Sequence, residues 1–447
     1  MMKYEEVLQD IELKLEDGRI RGGQKLPSVR EASDAYACSK STVIRAYAEL
    51  EKRHRLYSVP QSGYYAVTQK QAETSTSANA GWNFSSAAPD PEVFPYLDFQ
   101  HCINKAIDRY RSYLFTYGTP QGLPSLLQVL SKHLAAYQVF ASADRITVTS
   151  GVQQALSILA HMPFPSGKRT VLVEQPTYMI LLDMLALFGV PVRGIARTER
   201  GIDLDELEML MRTGDIKFFY TIPRFQNPLG TSYDTETKKA IAALAKKHDV
   251  IVVEDDFLAD LETDPKADPI YAYGASHVVY LKSYSKILFP GLRVGVAVLP
   301  PDLQAVFSRY KRFSDIDSSM LSQAALEIYI QSGMFERRKR KISDSYRNRM
   351  LRLVRALDAC NDTQDVRHLR LEAGMHTHIA LPPTLRTKTL IDRLAKRKIE
   401  LRDADASFLP SFPKRPLLQL SIAQIADDRI DEGAAALFAE IARMRRG

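Results

Sequence analysis

In this 447-residue chain, Lys286 ends the run Ser283-Tyr284-Ser285-Lys286, just after a strand-like segment at 278–281, and Arg293 follows seven residues later. Other strand-like segments also lead into groups able to do chemistry. Ile146–Thr149 runs into Ser150-Gly151-Val152-Gln153, a glycine turn opening a helix, which suits a phosphate at a helix N-terminus. Residues 171–174 lead to Tyr178, which offers an aromatic face, and 218–221 to Asn227-Pro228-Leu229-Gly230. Residues 251–254 run straight into Asp255-Asp256. Singly, a Ser-Gly turn, an Asn-Pro-Leu-Gly turn or a lone lysine is more often structural than functional. As a set they offer an amine able to form a Schiff base, an acid for a ring nitrogen, a phosphate cradle and a stacking ring.

The elements that must position these groups follow from the hydrophobic pattern. From about residue 85 strand-like runs alternate with helical periodicity, the mark of an α/β fold with a mostly parallel sheet. In such sheets ligands sit outside the carboxyl ends of the strands, where these residues fall. From about 310 helices and a few strands suggest a smaller C-terminal α+β domain. Residues 1–68 read differently. Helical spacing over 4–16 is followed by Ser28 and Glu31 as a capping box for a second helix, and by a third helix with Val43, Ala46, Tyr47 and Leu50 as its apolar stripe. Two short strand-like runs then flank Pro60-Gln61-Ser62-Gly63, a turn. Residues 69–84, polar, small and aperiodic, read as a linker between this head and a body at 85–447.

Composition sets the class. With 45% hydrophobic and 25% charged residues the chain is an ordinary globular protein. Its apolar run at 179–192 is too short to span a bilayer, and the N-terminus lacks an apolar core, so a cytoplasmic protein without a membrane partner is expected. Three scattered cysteines argue for a reducing compartment and against a zinc site. The net charge of +7 permits nucleic-acid binding without requiring it. Over 1–68 eleven basic residues face ten acidic ones, so any DNA affinity belongs to one face, where Lys40, Arg45, Lys52, Arg53 and Arg55 gather.

From about residue 85 the chain resembles a fold-type I, class I/II aminotransferase, a family dependent on pyridoxal 5′-phosphate (PLP). The resemblance implies that Lys286 is the catalytic, Schiff-base lysine and that Asp255 pairs with the pyridine nitrogen. It gives Asn227 to the phenolic oxygen, Tyr178 to the ring face, and Gly151, Val152, Gln153, Ser283, Ser285 and Arg293 to the phosphate. The head, through LPSVREAS, SKSTVIRAYAEL and SGYYAV, is similar to the winged helix-turn-helix of GntR-type regulators. The fusion resembles the MocR subgroup of those regulators, which implies a homodimer on a double-stranded operator.

In that architecture the third helix enters the major groove by its first turn, and the hairpin touches the backbone or minor groove. Ser39, Lys40, Ser41 and Thr42 occupy the leading turn; Arg30 and Arg45 are further contacts implied by the pattern, and Gly63 shapes the wing. Gln61 stands where many relatives have a glycine.

Two residues depart from the enzyme pattern. Phe257 replaces a tyrosine that bonds the phenolic oxygen, and Gln419 aligns with the arginine that clamps a substrate carboxylate, with Arg224 and Arg415 as open alternatives. A PLP-dependent transcription regulator sensing an amino compound, or PLP itself, is therefore favoured, with at most weak or partial transamination. The alternative is a working aminotransferase with a vestigial head. His376 and His378 share a strand face, but no acid or cysteine completes a metal set. The basic run at 337–341, with Arg347 and Arg349, reads as the solvated face of a helix.

Overall fold

The computed structural model describes residues 3–53, 55–59, 62–67, 81–264, 267–362 and 364–446. It divides into two units, Met1–Ala80 and Gly81–Gly447. The first holds α1 (Lys3–Glu16), α2 (Val29–Ala35), α3 (Lys40–Lys52) and an antiparallel hairpin of β1 (Leu56–Val59) and β2 (Gly63–Ala66). Its core is the apolar stripe of each helix: Val7, Leu8 and Ile11 from α1, Ala32 from α2, and Val43, Ala46, Tyr47 and Leu50 from α3. The capping box is complete. Glu31 N–H donates to Ser28 Oγ, and Ser28 N–H donates to Glu31 Oε2. Pro60 and Gln61 lie outside the described residues, as does 69–80 of the expected linker.

The end of that linker reads differently in the structure. Trp82 and Asn83 form β3, which pairs in parallel with β14 (Ile399–Glu400), and Phe84 is fully buried. An aperiodic stretch hid this, because two paired residues carry no period. After β3 the second unit continues through α4 (Tyr96–Tyr110), α5 (Pro124–Ala135), β4 (Ile146–Thr149), α6 (Val152–His161), β5 (Thr170–Gln175), α7 (Met179–Leu187), β6 (Val192–Thr198) and β7 (Gly201–Ile202). Next come α8 (Leu204–Thr213), β8 (Ile216–Thr221), α9 (Thr235–Lys247), β9 (Ile251–Asp255), α10 (Tyr271–Gly274), β10 (Val278–Ser283) and β11 (Gly295–Val298). Three helices follow, α11 (Pro301–Asp315), α12 (Met320–Gln331) and α13 (Met334–Cys360).

The large sheet has the order β4-β11-β10-β9-β8-β5-β6-β7. Neighbours from β10 through β6 are parallel; β11 is antiparallel to both β10 and β4, so β4 points the same way as β10. Strands β5, β8, β9 and β10 are buried almost throughout and read as continuous apolar runs, as strands covered on both faces must. This arrangement brings the carboxyl ends of β4, β5, β8, β9 and β10, and the start of β11, to one edge. The C-terminal part is a second, antiparallel sheet, β12-β13-β16-β15, made of β12 (Arg367–His368), β13 (His376–Ala380), β15 (Arg402–Asp403) and β16 (Leu417–Ser421). Helices α14 (Thr387–Ala395) and α15 (Ile430–Arg446) complete it.

The basic run is not uniformly solvated. On α13 Arg337, Arg340, Lys341 and Arg347 are exposed, but Arg349 is buried with its guanidinium on Asp427, Arg338 donates to the Val93 carbonyl, and Lys339 lies 4.3 Å from the Tyr137 ring centroid. These residues occur on a helix long enough to be packed by several neighbours. No helix among the described residues is long and apolar enough to cross a membrane.

Candidate cofactor cavity and nucleic-acid interface

A cavity of about 300 Å³ opens at that shared strand edge, and all ten residues named for PLP line it: Gly151, Val152, Gln153, Tyr178, Asn227, Asp255, Ser283, Ser285, Lys286 and Arg293. Asp255 ends β9 and is 5% exposed. Its Oδ2 accepts from Tyr220 Oη at 2.8 Å, while Oδ1 has no partner among the described residues. Burial pushes its carboxyl up to about 7, against the pull of the Tyr220 hydrogen bond. Lys286, after β10, is pushed down from the ordinary lysine range by burial, with Asp255 opposing, and its Nζ donates to the Ala87 carbonyl at 2.6 Å. A buried amine with a lowered pKa is a better nucleophile at neutral pH than a solvated one.

Other residues of the same lining suit an anion. Gly151 caps α6 at φ +81°, and a Cβ there would meet Arg293 Nη2 at 2.7 Å, so only glycine lets the guanidinium close over the helix start. Arg293 Nη2 donates to the Ser150 carbonyl, and Ser285 N–H donates to Ser283 Oγ at 3.2 Å. The start of α6, two hydroxyls and a guanidinium are groups that suit an anion such as a phosphate. Tyr178 caps α7, and burial pushes its hydroxyl up to about 12. The residues present therefore fit PLP: a buried carboxyl oxygen without a partner among the described residues, an amine, and groups suited to an anion line one cavity.

Phe257 lines the same cavity, stacked on His376 with ring centroids 6.4 Å apart, and has no hydroxyl to give. Gln419 Nε2 donates to Asn227 Oδ1 at 3.0 Å, which leaves the Asn227 amide N–H groups as its remaining donors. The two open alternatives for a carboxylate clamp lie elsewhere. Arg224 is buried in a two-bond pair with Asp256, and Arg415 donates to the Arg197 carbonyl at 2.9 Å. His376 Nε2 and His378 Nδ1 bond the carbonyls of Gln226 and Leu229 at 3.0 and 2.9 Å, bracketing the Asn227 turn, and His378 Nε2 lies 3.5 Å from Glu199 Oε1. Burial pushes His376 down to about 4, so it is neutral at physiological pH. Arg402, Met375, Ser407 and the segment carrying Ser85 and Ala87 also line the cavity and were not singled out from sequence. No motif marks them, because each sits in a loop, a two-residue strand or, for Ser407, a single 3-10 turn.

In the head, Lys40 and Ser41 are exposed at the start of α3, with Thr42 half-buried. Ser39 is the cap: its Oγ accepts from Thr42 N–H at 3.2 Å and lies 2.8 Å from both Ser41 Oγ and Thr42 Oγ1. Arg30, on α2, is exposed. Arg45 is exposed too, with its guanidinium 4.2 Å from the Tyr4 ring centroid of α1. Gly63 opens β2 at φ +118°, beside a stacked Tyr57–Tyr65 pair. Ile44, 49% exposed on the otherwise polar face of α3, escaped notice because its neighbours Val43 and Ala46 carry the apolar period.

Residues 3–65 match the family described as bacterial regulatory proteins, gntR family, and residues 92–437 match aminotransferase class I and II, a PLP-dependent family. The chain belongs to the MocR subgroup of GntR-type regulators, a winged helix-turn-helix joined to an aminotransferase-like domain. It is 50% identical over 453 residues to the uncharacterized HTH-type transcriptional regulator YcxD of Bacillus subtilis, covering 99% of this chain and 100% of that protein. The crystal structure of Pyrococcus horikoshii kynurenine aminotransferase, in complex with PMP, matches at TM-score 0.75 and 27% identity, over 82% of this chain and 92% of that one. LysN, the α-aminoadipate aminotransferase of Thermus thermophilus, solved with N-(5′-phosphopyridoxyl)-L-leucine, matches at TM-score 0.74 and 25% identity, over 82% and 93%.

Proposed function

We propose that this regulator holds PLP at Lys286 and that the loaded body senses a primary amine, or PLP itself, and passes its state to DNA-binding heads in a homodimer. The observation that carries the reading is the buried Asp255 with Oδ1 unpartnered, in one cavity with Lys286 and the Gly151–Arg293 cradle. Asp255 would hold a cationic ring nitrogen; Asn227, oriented by Gln419, would donate to the phenolic oxygen; Tyr178 would cover the ring; Gly151, Val152, Gln153, Ser283, Ser285 and Arg293 would hold the phosphate. PLP supplies an electrophilic carbonyl that condenses reversibly with primary amines. The chain's own part is to keep Lys286 partly unprotonated, exclude water and keep the cofactor's charge balanced. Phe257 removes one hydroxyl donor from this set, which favours sensing over turnover.

In the head, Arg30, Ser39, Lys40, Ser41, Thr42 and Arg45 would meet an operator, with Gly63 shaping the wing. A ligand that binds two states of the body unequally would shift operator affinity by that difference.

The test is an absorbance spectrum of the purified full chain supplied with PLP. An absorption band at the visible edge, lost in Lys286→Ala, is expected. Its absence from fully supplemented wild-type protein defeats the reading, and steady multiple turnover with a keto-acid acceptor would promote catalysis over regulation.

A further inference from the structure

The cavity's cations divide by occupation. Lys286 Nζ donates to the Ala87 carbonyl, and Arg293 Nη2 to the Ser150 carbonyl beside the anion cradle. Arg402 lines the same cavity, yet its hydrogen-bond contact is a thioether, Nη1 to Met179 Sδ at 3.6 Å, and no carboxylate pairs with it among the described residues. A thioether is a weak acceptor, so the guanidinium keeps nearly all of its donor capacity. Asp403, the acid nearest in sequence, also lines the cavity, but its Oδ1 accepts from Asp405 N–H at 3.1 Å.

The strand register states where this arginine stands. Arg402 on β15 is directly opposite Gln419 on β16. Opposed residues of an antiparallel pair project from the same sheet face with Cβ atoms roughly 4.5–5.5 Å apart. Gln419, at the position that aligns with an arginine in the enzymes, is uncharged and already spends its amide on Asn227 Oδ1. A positive charge therefore stands one strand along from Gln419, at a position from which a long side chain reaches the cavity.

We propose that Arg402 is the specificity-determining residue for the effector: it binds an acidic group, so the ligand is a primary amine that also carries a carboxylate, while Gln419 is a positioning residue for Asn227. This rests on the reading that amines are captured at Lys286. A planar guanidinium with free N–H groups pairs with a carboxylate through two parallel hydrogen bonds, and one strand of displacement selects where that carboxylate stands relative to the amine.

The experiment compares PLP-loaded wild type, Arg402→Gln and Arg402→Lys, titrated with L-leucine against 3-methylbutylamine and with L-alanine against ethylamine, read as the change in cofactor absorbance. Each pair differs only in the carboxylate. Wild type is expected to half-saturate at an amino-acid concentration at least about tenfold below that of the matching amine, the effect of a charge-assisted pair. Arg402→Gln brings that ratio near one with its absorption band intact, and Arg402→Lys keeps part of it. An unchanged ratio in Arg402→Gln, or no preference in wild type, overturns the assignment. If the wild-type band is itself missing, the Lys286 reading fails instead. Calorimetry with propanoate on the cofactor-free chain then decides Arg402 alone: binding lost in Arg402→Gln upholds it, and binding equal in the two proteins sinks it.

Discussion

The two units handle charge in opposite ways. The head leaves Arg30, Lys40 and Arg45 at its surface, on helices whose other faces form a small apolar core. The body buries charge and pairs it: Arg197 on Glu174 at 2.6 Å, Lys282 on Asp260 at 2.7 Å, and Arg224 on Asp256. A surface cation that meets a polyanion needs no fixed partner, and its binding is tuned by salt. A buried charge must be matched in place, since leaving it alone costs far more than the pair contributes. On the proposed function, the difference means that the head would recognise by accessible charge and the body by charges held in fixed geometry.

The sharpest way to break that comparison is Arg224→Ala. It would leave Asp256, 0% exposed, without its guanidinium, next to Glu254, whose carboxyl burial already pushes up to about 7. Removing one partner of such a pair is expected to destabilise the body by roughly 3–5 kcal/mol. Trp82, the single tryptophan, lies in β3 of the body, so denaturant unfolding followed by its fluorescence reports that unit without a signal from the head. A loss below about 1 kcal/mol would mean that the buried pair contributes no more than a surface one.

Asp255→Asn comes next. A folded carboxyl pushed up to about 7 retains a proton that the unfolded chain releases near 3.8, so the wild-type, cofactor-free body loses stability as pH rises between those values. That contribution is fully present below about 3.8 and gone above about 7. The asparagine variant does not titrate, so its advantage should grow from pH 4 to pH 7 and then level off, at no more than about 4 kcal/mol. With PLP bound, Asp255 would pair with the cationic ring nitrogen and stay ionised, so the pH-dependent gap is expected to close. A gap that is flat with pH in the cofactor-free protein, measured by thermal unfolding across that range, would remove the protonated carboxyl.

Legibility followed the same division. The head could be read because its signals are local: a capping box spans four residues, a helix stripe repeats within two turns, and both reappear in the structure. In the body, five strand ends were visible because each buried strand is a short run rich in apolar and β-branched residues with polar residues at or just beyond its end, and their convergence on one cavity follows from parallel topology. Arg402 was illegible for the converse reason. Its strand is two residues long, and its importance lies in standing opposite Gln419, a relation between chain segments that sequence spacing does not encode. Trp82 and Phe84 were missed likewise, since their partner segment begins more than three hundred residues later.

The smallest expected effect tests the head. Lys40 opens α3, is exposed, and stands beside a hydroxyl cluster whose Ser39 oxygen is already used as the helix cap. If it meets a DNA phosphate, Lys40→Ala should weaken operator binding about tenfold at moderate salt and lower the slope of log affinity against log salt by about one. The loss should be similar across operator variants, because a phosphate contact carries no base information. Cofactor absorbance and Trp82 fluorescence should be unchanged, since both signals arise in the other unit. Ile44 offers the contrast on the same helix. An exposed apolar side chain suits a thymine methyl group, so Ile44→Ala should alter preference among operator variants while leaving the salt slope alone. Equal affinity and equal slope for Lys40→Ala in gel-shift titrations at several salt concentrations would show that the accessible charge of this helix is solvated and not read.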